Sequence, residues 1–296
     1  MGAVRRLPRR YESRRQRGRQ RPWHHAGELV MTHGNAPLRR AFTIVELLVV
    51  VAVIAILIAV LLPGLRSASG IARSTACTSN LRQISIACEA YVSSNGAMPA
   101  AVLYVLDTGV VRTIAWDFEQ RAGAVTPGPL WNYTDTPLAV QQCPDFEGAS
   151  TFGADPYTGY NYNTSYLGHE GTYPTVDSNG NALDGWRTAR MGVPPTAIRD
   201  PSGTAVFGDG GWRGGANKFM RAPMNRAEGD LGLVAAGTQA FRHWGGCTCC
   251  AHLDGHISTY ADPQSSPSIS PTMATWVMGF PDNGFLSSND AAYGGD

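Results

Sequence analysis

Residues 47–62 read Leu-Leu-Val-Val-Val-Ala-Val-Ile-Ala-Ile-Leu-Ile-Ala-Val-Leu-Leu, sixteen apolar residues without interruption. Extended back to Phe42, the stretch covers 21 positions broken only by Thr43 and Glu46. As an α-helix it is about 31 Å long, enough to cross a hydrocarbon core of about 30 Å. Arg39 and Arg40 precede it directly. The bias of basic residues toward the cytoplasm keeps that end inside and sends the rest of the chain outward. The expectation is a single-pass protein of the inner membrane with an extracytoplasmic head.

Glu46 is costly in hydrocarbon, and an acid there marks function unless a cation lies beside it. The cheapest local cation is a new amino terminus, made if the chain is cut between Ala41 and Phe42. The charge distribution fits such a cut. Residues 1–40 hold eleven Arg with only Glu12 and Glu28, a formal +9, whereas the rest of the chain carries −8. The overall +1 describes neither part. A block discarded by cleavage gives no reason to expect a nucleic-acid partner. Met31 also opens an eleven-residue stretch to Ala41, so residues 1–30 read either as an upstream start or as a basic extension.

Arg39-Arg40-Ala41-Phe42-Thr43-Ile44-Val45-Glu46-Leu47-Leu48 resembles the leader and cleavage site of type IV prepilins and type II secretion pseudopilins. The resemblance implies a prepilin peptidase that cuts before Phe42 and methylates it. It places Glu46 at mature position five and Pro63 at the proline these families carry at position 22. Ala41 stands where the families usually have Gly. The competing reading is a removable twin-arginine export signal, with Ser67-Ala68-Ser69 as its cleavage site. Glu46 and the helical pattern beyond residue 66 oppose it.

Cys77, Leu81, Ile84, Cys88 and Tyr91 follow at spacings of 4, 3, 4 and 3, an apolar stripe on an amphipathic helix. Ser93-Ser94-Asn95-Gly96 supplies the stop, with Gly suited to a left-handed cap. The segment Cys77-Thr-Ser-Asn80-Leu81-Arg82-Gln83-Ile84 resembles the helix of a large planctomycete prepilin-type family of unknown function. That resemblance implies a pilin-like α+β fold, a long N-terminal helix with a transmembrane first half packed on a loop-rich antiparallel β head. The family's His, nine residues, Asp-Gly motif corresponds to His243, Asp254 and Gly255, but ten residues intervene here. The expected organisation is a leader over 1–41, an assembly helix over 42–62, its amphipathic continuation over 63–96 and a head over 97–296.

The chain has 34 Gly and 19 Pro among its 296 residues, so much of the head is turns. With 43% apolar residues it still has enough for one core. Strands are expected over 101–106, 110–116 and 204–207. Tyr160–Tyr166 reads as a half-buried edge strand in preference to a sugar-stacking surface. Residues 243–260 are expected to form a hairpin with a bulge absorbing the extra residue, a turn at Asp254-Gly255 and a strand over His256–Tyr260. His243 and Asp254 are expected to pair beneath that turn.

His243, Cys247, Cys249, Cys250, His252, Asp254 and His256 concentrate ligands for a borderline metal such as zinc, though at no recognised finger spacing. Cys77 and Cys88 lie about 16 Å apart on one helix and do not reach each other. Disulfides to Cys143, Cys77 or Cys88, packed thiols and a metal site all remain open for these cysteines. Asp209 and Asp254 form a weaker candidate pair for calcium. No cofactor is required for an assembly role.

Three function classes follow. The leading one is a non-enzymatic subunit of a pilin-like or pseudopilus-like fibre, with prepilin peptidase and like or related pilin subunits as partners. The second is a membrane-anchored module binding glycan or protein. The third is a metalloenzyme built on residues 243–256.

Overall fold

The structure is a computed structural model, and it describes residues 42–107, 109–134, 140–146, 159–171, 191–212, 215–224, 237–272, 275 and 283–295. Two units are distinguishable by compactness, Met1–Val53 and Ile54–Asp296. The leader, with Arg39, Arg40 and Ala41, lies outside the described residues.

In the first unit the described chain is Phe42, Thr43 and the opening turns of α1 (Ile44–Asn95), all exposed. Among the described residues α1 is the one helix long and apolar enough to cross a membrane, and none of its most apolar stretch is buried. Helical geometry continues through Pro63. Gly96 ends it with φ of 77° and donates its N–H to Val92 O at 2.7 Å. This is the expected left-handed cap, which a side chain would strain.

In the second unit the helical stripe is buried where the spacing places it. Cys77, Leu81, Ile84, Ala87 and Cys88 join one core with strand residues of the head. Leu81 and Ile84 each contribute about 2 kcal/mol by leaving water. Gly70 is buried higher on the same helix, because the indole of Trp244 rests where its Cβ would be, 2.9 Å away.

A four-stranded antiparallel sheet runs in chain order through β1 (Val102–Asp107), β2 (Val110–Ala115), β3 (Phe118–Arg121) and β4 (Ala124–Pro127). The second sheet is built from β5 (Tyr160–Asn163), β6 (Ala205–Gly211), β7 (Phe219–Met220), β8 (Thr238–Ala240), β9 (Thr248–His252), β10 (Ile257–Tyr260) and β11 (Asn283–Gly284). Its main path is β10-β9-β6-β5-β7, with β8 paired to both β6 and β11. All pairings are antiparallel except β5 with β7. The architecture is the expected α+β, pilin-like one.

Between the sheets Trp116 is enclosed by Trp131, Tyr162 and Phe207, at centroid distances of 6.3, 5.8 and 5.3 Å. Beside it Lys218, the only lysine of the chain and 1% exposed, pairs with buried Asp117.

The Tyr160 segment departs from expectation. β5 is flanked on both sides, by β6 and β7, and all four of its residues are buried, so it is an inner strand. It also stops at Asn163, and Thr164–Gly168 forms one π-helical turn. The Asn163 side chain causes the change. Its Oδ1 accepts from Tyr166 N at 3.1 Å, and its Nδ2 donates to Ala205 O and Tyr293 O at 2.8 and 2.9 Å.

The hairpin β9–β10 forms, but its register is continuous from Thr248↔Tyr260 to Ala251↔Ile257. No bulge absorbs the extra residue there; the ladder irregularity lies across β9 on β6, between Ala205 and Phe207. Residues 244–246 form a separate tight turn, closed by His243 N donating to Cys247 O at 3.0 Å. Gly245 and Gly246 supply the positive φ it needs. The strand after Asp254-Gly255 starts at Ile257, one residue later than expected.

Candidate functional sites: the helix start and the His243 cluster

At the start of α1, Thr43 is the residue before the first helical position and Glu46 the third within it. The Thr43 N–H and hydroxyl each donate to Glu46 Oε2 at 2.9 Å, and Glu46 N donates to Thr43 Oγ1 at 3.2 Å. This reciprocal capping box satisfies two orphan donors of the first turn. The Thr43-x-x-Glu46 spacing is itself the sequence signature of such a box. Phe42 is exposed beside the box, and Pro63 lies 17 residues beyond Glu46 on the same helix.

The ligand-rich segment 243–256 does not form one site. Alternation along β9 sends neighbouring side chains to opposite faces. Cys249 therefore packs in the core containing Cys77, while Cys250 packs in a second core with Met220, Phe285 and Tyr293. Cys247 is half-buried, its thiol 3.5 Å from Trp244 O. His252 and His256 stack at 4.2 Å between centroids, and His256 Nδ1 lies 2.5 Å from Asp254 Oδ1 on the surface. Gly255, with φ of 86°, turns the chain there.

His243 therefore does not pair with Asp254. The turn at 244–246 carries it inward, where Nδ1 meets Asp145 Oδ2 at 2.6 Å and Nε2 meets Asp209 Oδ2 at 2.9 Å. The Cys143 thiol lies 3.8 Å from Nε2. Asp209, fully buried on β6, also accepts from Cys249 N at 2.9 Å and from the Cys77 thiol at 3.4 Å. Arg73 on α1 pairs with Asp145 from outside. Asp209 and Asp254 thus have different surroundings, and the calcium pairing is not formed.

Electrostatics follow from this packing. Burial opposes a charge on His243, but the hydrogen bonds to Asp209 and Cys143 outweigh it and push its pKa up to about 12. Burial raises Asp209, while its bond to His243 brings it below the usual carboxylate value. Burial pushes the Cys77 thiol well up, and hydrogen bonds to Cys77 lower Cys143 and Cys249. Burial, with the neighbouring Glu89 charge adding to it, raises Cys88 to about 12.

Of the helix motif, Cys77 enters this cluster and Leu81 enters the core. Asn80 Nδ2 donates to Gln142 O at 3.3 Å, fixing the chain just before Cys143, and Gln83 is exposed. Asp145 as the partner of His243 was missed from sequence, since 98 residues separate them. Tyr160 and Tyr162 are 2% and 0% exposed, so the Tyr-rich strand offers no sugar-stacking surface.

Residues 37–62 match the prokaryotic N-terminal methylation motif. The match and the exposed apolar helix support a prepilin-type, membrane-anchored chain with a single span, of type IV pilin or pseudopilin kind. Pilin-like proteins with this motif are structural subunits, not enzymes. Comparisons with curated proteins and with solved structures found no match.

Proposed function

We propose that the protein is a structural subunit of a pilin-like or pseudopilus-like extracytoplasmic assembly. The observation that carries this reading is the methylation motif lying on a helix whose apolar side chains are exposed along the whole span. Such a surface is stable only in lipid or against other helices. A prepilin peptidase removes residues 1–41 and methylates Phe42, and residues 42–62 then pack against like or related subunits. Glu46 meets the new amine of a neighbouring subunit, and Pro63 marks the end of the packed segment. Residues 63–96 attach the helix to the head, 97–296, which stands outside the inner membrane. The Cys77–Ile84 segment supports membership of the planctomycete family, from whose His-x9-Asp-Gly motif His243, Asp254 and Gly255 depart by one inserted residue.

N-terminal mass spectrometry of the protein from its own membrane tests this. A methylated Phe42 terminus is the expected result. An intact leader, or a terminus near Ser69, would overturn the reading.

A further inference from the structure

The His243 cluster draws on four separate stretches of chain. Cys77 comes from the helix, Cys143 from the loop before β5, Asp209 from β6, and His243 and Cys249 from either side of one turn. One ligand atom each from Cys77, Asp209, His243 and Cys249 lies within 4.8 Å of the other three, and all four residues are buried. Ligand atoms of a tetrahedral zinc ion stand roughly 3.3–3.8 Å apart, given bonds of about 2.0–2.3 Å. Side-chain rotations of about 1 Å would close the set.

We propose that Cys77, Asp209, His243 and Cys249 bind a tetrahedral divalent metal of zinc type, which pins the helix to the β head. Two thiolates, an imidazole and a carboxylate form a borderline donor set that suits zinc over calcium or magnesium. His243 is already oriented for the task. Its Nδ1 is held by Asp145, itself held by Arg73, so Nε2 points into the cluster. A carboxylate behind the imidazole is the usual support of a metal-bound histidine. Binding releases the thiol protons of Cys77 and Cys249 and the Nε2 proton that His243 shares with Asp209, while Nδ1 keeps its proton on Asp145.

A disulfide accounts for less of this arrangement. Any bridge among Cys77, Cys143 and Cys249 strands the third thiol and gives no role to His243 or Asp209. A catalytic use of Cys143 and His243 is opposed by burial, since they are 0% and 2% exposed. With four protein ligands and no open position the centre is structural, and its binding energy is folding energy.

The full chain, purified in detergent without chelator, should hold about one zinc per chain by elemental analysis. Replacement by Co²⁺ should give tetrahedral d–d bands and a thiolate-to-cobalt charge-transfer band. The double variant Cys77→Ser, Cys249→Ser and the single variant His243→Gln should lose metal and spectrum. Cys250→Ser, a buried thiol in the other core, should keep both and control for packing damage. Absence of metal and of a cobalt spectrum from the wild-type chain sinks the proposal whether or not the variants fold. So does full metal retention by the double variant, or a disulfide joining any two of Cys77, Cys143 and Cys249 in non-reducing peptide mapping of protein from its own membrane.

Discussion

Thr43 and Glu46 hold each other across the first turn of α1, with both Thr43 donors on Glu46 Oε2 at 2.9 Å. The carboxylate is therefore satisfied within its own chain before any neighbour arrives, and one acidic residue has two separable duties. Thr43→Val removes the cap and keeps the charge. It should cost the first turn about 1 kcal/mol, read as faster amide exchange there. Glu46→Gln can still accept from Thr43 but has no charge for a neighbour's amine. It should fold normally and fail to enter fibres, and normal incorporation would refute the assembly role of Glu46.

Lys218 and Asp117 form a buried ion pair beneath Trp116. Lys218→Met removes the cation and leaves a carboxylate in a dry core. A loss of roughly 3–5 kcal/mol is expected, since breaking a buried pair exposes its full desolvation cost. The double change Lys218→Met, Asp117→Leu should recover most of that. Thermal melts of the four chains in the cycle measure the coupling, and a double variant no better than the single would contradict it.

The helix was readable because its signals are local. Apolar spacing gave the buried face from Cys77 to Cys88, and Gly96 gave the end. Of the strands after residue 97, β1, β2, β5, β6 and the β9–β10 hairpin were readable in place, whereas β3, β4, β7, β8 and β11 were not, and no pairing beyond the hairpin was. The Tyr160 segment has the composition of a half-buried edge, yet its neighbours β6 and β7 arrive from 45 and 57 residues downstream. The same distance hid the cluster. Residues 243–256 look like one ligand set in one dimension, but strand alternation divides Cys249 from Cys250, and the tight turn takes His243 away from Asp254. Cys77 and Asp209, the groups that replace the local ones, lie 166 and 34 residues before His243 in the chain. Only a folded sheet brings them together.

Gly210 on β6 is a test of how closely the second sheet is packed. A Cβ there would lie 2.2 Å from Asn217 O, a backbone atom that cannot rotate away. Gly210→Ala must therefore part β6 from the chain leading into β7, at a cost of about 2–3 kcal/mol. Gly109→Ala meets no atom within 4 Å but keeps a φ of 79°, so its cost is backbone strain of about 1 kcal/mol. Denaturant melts should rank Gly210→Ala clearly below Gly109→Ala; the reverse order would mean that the β6 contact is looser than described.

The outer end of the β9–β10 hairpin should give the head an acid-sensitive component. His252 is 3% exposed and stacks on His256, with Tyr260 OH 3.3 Å from its Nε2. Burial and the neighbouring His256 lower its pKa to about 4, against the opposing pull of Asp254 and Asp200. Glu89 on α1 lines the same cavity as His252. Because the folded value lies below the ordinary 6.5, the fold favours neutral His252. Its contribution is complete above pH 6.5 and is lost as pH falls toward 4. Each pH unit between the two values is worth roughly 1.4 kcal/mol, which caps the effect at about 3 kcal/mol. His252→Gln should flatten this part of the stability profile measured from pH 7 to pH 4. An unchanged slope in the variant would assign the acid sensitivity to another group.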